Sequence, residues 1–460
     1  MKDQRTTDGA LEIGSRLELF VDDYLIDTMT GGLSLKLHSP CKAERVLEND
    51  RPWEGQRIFY VSVFKDEDRF RMYYRGGLGE RGIPARVCYA WSRDGIHWEK
   101  PELNLFEFEG SRQNNIVWAG VGSPCALGVF FDTNPDCKPD QRYKALSSDG
   151  YQKPVYAFGS PDGVHWRLIQ ERPVIDEYDG ADAAYDCSFS TRWDPASKRY
   201  VVYHRIWYRP LKGKVRSIAV RTSEDFINWT PLQRLDFGDA PVENLYTNSI
   251  TPYFRAPHIL LGFPKRFTLD RRVLPEAETD GLSDAMFMSS RDGLHFDRRF
   301  MEAFVRPGRE RLNWTGRSNM IACGILPTAE DEISLYLIQH YTRPSVHLKR
   351  CVLRTDGFVS VNATYTGGEL RTRPLVFDGR ELVINYATSA SGSIRVELVD
   401  QEGRAIPGFE VDKCPEIFGD EIERVVRWAS GSGVGALAGR PVRLRFLLRD
   451  ADLYSLRFQR

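Results

Sequence analysis

The chain has 460 residues, of which 42% are hydrophobic and 28% charged; that is apolar mass for large cores and excludes a disordered chain. Its 63 Lys plus Arg against 64 Asp plus Glu leave no overall basic field for nucleic acid. No apolar run reaches the ~18–20 residues of a membrane helix, and 12% aromatics with 38 Gly and 25 Pro favour many short strands and tight turns.

Residues 1–45 read as a lead-in. Met1–Arg16 lacks the apolar stretch of a signal peptide, so a cytoplasmic chain is expected, or a secreted or periplasmic one where a leader has been removed. Leu17–Ile26 alternates as a strand that joins a later sheet or closes a ring, with Asp22 and Asp23 on opposite faces. The eight Cys are scattered without a C-x-x-C; neither a zinc framework nor a disulfide scaffold is expected. No metal or cofactor is expected.

From residue 46 a repeat takes over. Ser92-Arg-Asp94-Gly95-Ile-His97-Trp98 recurs as Ser160-Pro-Asp162-Gly163-Val-His165-Trp166, then as Ser223-Glu-Asp225-Phe-Ile-Asn228-Trp229 and Ser290-Arg-Asp292-Gly293-Leu-His295-Phe296. A decayed fifth copy is Arg354-Thr-Asp356-Gly357-Phe-Val-Ser360, and the copies start 68, 63, 67 and 64 residues apart. Each follows an apolar run and is preceded by a hairpin pattern such as Phe59–Val63 with Arg71–Arg75. Asp-Gly suits a tight turn in which Gly takes φ > 0 and Asp caps backbone N–H groups. His at one motif position in three copies marks a turn device, not three active sites. Four strands per ~65 residues, five times, predict a five-bladed β-propeller over 46–362. Beyond it, 363–460 lose the motif and alternate over Leu382–Tyr386, Ser393–Val399, Val442–Leu448 and Leu453–Phe458, which predicts a C-terminal β-sandwich. The fold class is all-β.

A propeller of this kind followed by a sandwich resembles glycoside hydrolase family 32, and the propeller alone is similar to families 43, 62, 68 and 130. The S-x-D-G-x-x-W turns and the stretch Leu437–Phe446 with Asp450–Ser455 resemble a group of bacterial proteins related to the family 32 N-terminal domain. The resemblance implies a glycosidase with acidic residues on the innermost strands around the axis. On this sequence it points to Asp186 in the third blade and Glu54 in the first as an acid–base pair. The second blade has Gly122–Cys125 at the matching place, without an acid. The W-x-N-D-P and R-D-P signatures are missing.

Substrate contacts are expected from Arg75, Asp182, Arg205, Glu243, Tyr246, Asn248, Arg266, Arg317 and His340, on first or second strands near the axis. So many cations, with Lys144 and Lys265 beside them, suit an anionic sugar. The expected partner is an oligo- or polysaccharide, with neither nucleic acid nor membrane. Two rival readings are a non-catalytic glycan-binding propeller and a phosphorylase or transglycosidase on the same scaffold.

Overall fold

The structure is a computed structural model that describes residues 9–77, 84–125, 127–150, 153–176, 184–185, 188–210, 213–277, 281–431 and 433–460. It is all-β, and it divides into two compact units: Pro40–Tyr253 with Ile259–Val352, and Met1–Ser39 with Phe254–His258 and Leu353–Arg460. The expected boundaries at 46 and 363 therefore move, because segments from the start of the chain supply strands to both units.

The first unit is a propeller. Its described strands fall into five antiparallel groups in chain order. The first group runs Phe59–Asp66, Arg69–Gly76, Arg86–Ser92 and Trp98–Glu99. The second runs Gly128–Phe131, Tyr143–Ser148, Val155–Ser160 and Arg167–Leu168, and the third Ser190–Asp194, Arg199–Tyr208, Val215–Ser223 and Gln233–Arg234. The fourth is split into two small sheets, one with Thr251–Tyr253, Ala256–Gly262 and Met288–Ser290, the other with Lys265–Thr268 and Leu282–Ala285. The fifth contains Met320–Ile321, Glu332–Gln339 and His347–Arg354, and its outer edge is completed by Cys41–Glu48 from near the start of the chain. Pairing the chain's beginning to its last propeller sheet removes an open edge that would otherwise be exposed.

Each group is tied to the next. The Tyr73 hydroxyl donates to Gly163 O at 2.9 Å, Tyr200 to Asp132 Oδ2 at 2.9 Å and Tyr203 to Gly293 O at 2.9 Å. Ser249 donates to Ile321 O at 2.8 Å, and Tyr336 to Gly95 O at 2.5 Å. This last bond, with Val63 N–H to Cys323 O and Cys323 N–H to Val61 O at 2.8 Å each, joins the fifth group to the first and closes the ring. Three of these ties use a Tyr on one sheet and the Gly of the next heptapeptide, which explains the repeat: it is a turn and a latch together. Gly163 has φ of 78°, and a Cβ there would lie 2.5 Å from the Tyr73 hydroxyl, so only glycine lets the latch close.

The second unit is a sandwich built from unusually long strands. Ile26–Leu37, Val359–Thr372, Arg443–Gln459, Glu381–Val399 and Asp420–Val425 lie side by side, with Glu18–Leu19 on Arg443–Gln459 and Leu11–Gly14 parallel to Leu375–Phe377. Register breaks between Ala363 and Gly368 and between Thr388 and Ser393 bend the strands. Residues from both halves, such as Ile384 and Val396, or Val361 and Leu370, then share one core. Phe377 and Phe458 stack there at 3.7 Å. The expected strand over Leu17–Ile26 is interrupted: Asp22 Oδ1 accepts the Tyr24 N–H at 3.1 Å, an Asx turn that competes with the ladder.

Candidate active site

The heptapeptides are rim structures. In the first, Asp94 Oδ1 accepts the N–H groups of Ile96 and His97 at 2.8 Å each, and Oδ2 lies 2.7 Å from His97 Nδ1. The same contacts recur at Asp162 with His165 and at Asp292 with His295, and Asn228 replaces the His beside Asp225. The Asp–His pairs are exposed staples of the turns.

The propeller's chemistry gathers elsewhere, on its first and second strands. Tyr60 sits where the first strand slips register between Phe59 and Ser62, with φ of 49°. Arg75, on the partner strand, lies over the rings of Phe59 at 5.0 Å and Tyr60 at 5.3 Å, and donates to Pro124 O at 2.8 Å and to the Tyr341 hydroxyl at 3.4 Å. Arg205 lies 4.5 Å from the Tyr246 ring, Arg216 5.2 Å and the Lys265 ammonium 4.2 Å. Tyr246 also receives hydrogen bonds from Tyr60 and Arg205, and Arg317 bonds to Tyr341. Three tyrosines and five cations thus meet in one cluster, with Tyr60, Arg75, Arg205, Tyr246 and Lys265 all buried.

The electrostatics of the cluster are lopsided. Burial favours the neutral form of Tyr246, but Arg205 and Arg317 outweigh it and bring the phenol below its ordinary value. Tyr60, desolvated and facing Tyr246, moves well above its own. Lys265 has zero exposure; burial, then Arg317, Arg216 and Arg205, push its amine well below the lysine range. Its ammonium has a hydrogen bond to Gly316 O at 2.9 Å. Among the described residues no carboxylate is paired with Lys265 or Arg317.

Of the expected site residues, Arg75, Arg205, Tyr246 and Arg317 come together here. The other described ones have partners of their own. Glu54 is fully buried within the first sheet, where its carboxylate accepts from Lys100 at 2.8 Å, from Tyr74 at 2.5 Å and from Arg51 N–H at 3.1 Å. Burial raises its pKa, and Lys100 and Tyr74 pull against that; it is a closed structural ion pair. Arg266 holds Asp284 through two bonds of 2.9 and 2.7 Å and Glu243 at 3.2 Å, and Glu243 also binds Arg298 at 2.7 Å. Asn248 ties two inner strands together, accepting from Ser190 and donating to Tyr203 O at 3.2 Å. His340 lies between Glu310 at 2.8 Å and Ser345 at 3.0 Å. Lys144 is paired with Asp132. Asp182 and Asp186, with Asp179, lie outside the described residues.

Sequence reading counted Lys265 among the nearby cations but gave the substrate contact to its neighbour Arg266. The two are adjacent in a strand and point to opposite faces, and nothing in the local sequence says which face looks inward. Tyr60, Arg216 and Tyr341 were also missed; each sits at a strand end beside a cation that was found.

A cavity adjoins the cluster. It measures about 80 Å³ and is lined by Arg57, Ala277, Thr315, Arg317, Tyr341, Thr342 and Arg343. Among the described residues no group of three or more His, Cys, Asp or Glu is placed to hold a metal.

No family model matches the chain. A stretch of 157 residues, 32% of this chain, is 28% identical to the uncharacterized protein MT1551 of Mycobacterium tuberculosis strain CDC 1551 / Oshkosh. One of 155 residues is 27% identical to the uncharacterized protein Rv1502 of Mycobacterium tuberculosis strain ATCC 25618 / H37Rv. The chain spans 46% of the length of each of these relatives. Among solved structures it is similar to BT0996 in its RGII complex, at 12% identity and a TM-score of 0.48, over 69% of this chain and 92% of that one. It is also similar to a glycosyl hydrolase from Bacteroides ovatus, at 15% and 0.41, over 76% and 96%. A third likeness is to a structure from work on GH130 mannoside phosphorylases and hydrolases of β-1,2 mannosidic linkages in Candida mannan, at 14% and 0.40, over 74% and 96%.

Proposed function

We propose that the chain is a glycoside hydrolase acting on an anionic glycan, and that the tyrosine–cation cluster of the propeller is its substrate site. The observation that carries this is the charge imbalance: Arg317 meets Arg205, Arg216 and Tyr246 without a carboxylate of its own among the described residues, and beside them burial and these arginines already push the Lys265 amine towards its neutral form. Buried like charges are costly unless an opposite charge joins them. A substrate carboxylate or sulfate supplies it, and guanidinium forks bind such groups in two-pronged fashion.

In this reading Tyr246 takes the role that sequence reasoning gave to Glu54. A phenol held below its ordinary range, donated to by Tyr60 and Arg205, is a better base or nucleophile than an ordinary tyrosine. Glu54 is held by Lys100 and Tyr74 and serves the first sheet. Asp186 keeps the carboxylate role on sequence grounds. The test is a release assay on neutral, uronic and sulfated oligosaccharides. Release confined to the charged members supports the reading; release from neutral glycans alone contradicts it.

A further inference from the structure

A larger cavity lies between the second and third propeller sheets. Its volume is about 610 Å³, within the ~300–1,000 Å³ of ligand clefts, and the proposed function does not use it. One wall is the loop that joins Phe131 to Tyr143, and it carries Gln141. The other is the hairpin between Asp194 and Arg199 with the third heptapeptide; Trp193 and Tyr200 complete the lining. Tyr200 stands near the start of the strand Arg199–Tyr208, and Arg205 of the tyrosine–cation cluster is further along it, about 16 Å away at ~3.3 Å per residue. The cavity and the cluster thus belong to different ends of one strand, and a group held in one does not fill the other.

The walls are fixed before any ligand arrives. Lys144 pairs with Asp132, the Tyr200 hydroxyl donates to the same carboxylate at 2.9 Å, and Asn134 Nδ2 donates to Tyr200 at 3.0 Å. Side-chain caps hold both loops: Asp132 accepts the Asn134 N–H at 2.9 Å and Asn134 accepts the Asp136 N–H at 3.0 Å, while across the cavity Asp194 accepts the Ser197 N–H at 3.2 Å. Trp193 packs edge-to-face on Tyr200 at 4.9 Å and stays half-buried. Among the described residues its indole N–H, the Gln141 side-chain amide and the Asp136 carboxylate have no hydrogen-bond partner.

The charge of this lining is balanced, where that of the cluster is not. Asp136, Glu224 and Asp225 stand against Lys138, Lys144 and Lys198, and Asp132 and Arg199 already hold Lys144 and Glu224. Such a lining has no net pull on an anion or a cation. What it leaves open is a donor on Trp193, an acceptor on Asp136 and both on Gln141, beside an indole that joins an apolar body to a polar tip. A sugar ring matches this, because its C–H face is apolar and its hydroxyls donate and accept. We infer that the Trp193 cavity is a second glycan site, which grips an uncharged stretch of polysaccharide while the tyrosine–cation cluster takes the charged one. The inference rests on the proposed function for its choice of a glycan, but the site is testable without turnover.

The experiment is titration calorimetry on the full chain. The probes are the neutral hexasaccharides of β-1,4-linked mannose, glucose and xylose, with the hexamer of galacturonic acid as the charged comparison. At least one neutral hexasaccharide should bind, and Trp193→Ala should weaken it at least about ten-fold, as loss of a central aromatic anchor does. Trp193→Phe, which keeps an aromatic face and loses the N–H, should weaken it less. Gln141→Ala, away from the Tyr200 packing, should weaken it too, with circular dichroism confirming that all variants fold. Arg317→Ala should leave the neutral affinity unchanged, which separates this site from the cluster. Absence of heat with every neutral hexasaccharide, or unchanged affinity in both folded Trp193→Ala and Gln141→Ala, overturns the site. Galacturonate binding that depends on Trp193 and exceeds the neutral affinity overturns its assignment to uncharged sugar. Trp193-dependent binding without release from any glycan would instead sink the proposed function and leave the second site standing; release from charged glycans without Trp193-dependent binding would do the reverse.

Discussion

Replacing Lys265 with Met separates stability from function at the cluster. The side chain is fully buried, and its ammonium donates to Gly316 O at 2.9 Å and faces the rings of Tyr246, Phe59 and Phe267 at 4.2, 5.6 and 5.8 Å. Met has similar volume, so the packing survives. Exchange of a buried charge for an apolar group of the same shape is neutral or stabilising by ~1–4 kcal/mol. Against this stand a lost hydrogen bond of ~1 kcal/mol and ring contacts of ~0.5–2 kcal/mol. The balance runs from ~3 kcal/mol less stable to ~2 kcal/mol more stable than the parent. Urea unfolding of both proteins at neutral pH measures it. The parent should also gain stability with rising pH toward the unfolded lysine value of ~10.4, because the folded amine has the depressed pKa and the unfolded chain binds the extra proton in that window; the variant should lack that slope. Turnover of an anionic glycan should fall at least ten-fold. A loss above ~3 kcal/mol, the signature of a broken buried ion pair, would refute the claim that Lys265 lacks a carboxylate partner.

On the opposite face of the same strand, Arg266→Gln should destabilise the protein by ~1–3 kcal/mol, by opening the Asp284–Arg266–Glu243 network, while kcat/KM per folded molecule stays within two-fold. Glu54→Gln should cost ~1–3 kcal/mol in urea unfolding, since Lys100 loses one of its two carboxylates and keeps Asp50 at 2.7 Å, again with turnover per folded molecule retained; a collapse of turnover in a stable variant would restore Glu54 to the chemistry. Asp186→Asn should lower turnover ~10²–10⁴-fold with the fold intact. Acid titration should weaken the propeller from pH ~6.5 downward. Burial and then Arg221 push His204 down to about 3 and burial pushes His347 down to about 4, so the unfolded chain takes up protons first. His204→Gln should flatten that slope, and an unchanged slope would show that His204 is not its source.

The turns were the most legible part of the chain. The Ser-x-Asp-Gly spacing specifies its own hydrogen bonds, and its regular recurrence marks one supersecondary unit after another. The sandwich was legible as alternation, and Leu17–Ile26 was read as a strand for a later sheet or the ring, yet Leu11–Gly14 and Ile26–Leu37 were not assigned, because a strand's sequence does not name the strand it pairs with. The same limit moved Cys41–Glu48 into the fifth propeller sheet. At the site, residue type was readable and direction was not. Arg205 faces Tyr246 while its neighbour His204 is fully buried, with Nδ1 3.1 Å from Arg205 O and Nε2 accepting from Arg221 at 3.3 Å. Glu54 looked catalytic because it was the nearest acid; Lys100, 46 residues away in sequence, is what closes it off.

A crystal structure of the full chain with a sulfated oligosaccharide tests the central claim most directly. The sugar should lie against Tyr246 and Tyr341, with its charged group within hydrogen-bond distance of Arg317 and of Arg205 or Arg343. A charged glycan bound on the rim, or at the axis with its anionic group turned away from all three arginines, would contradict the assignment.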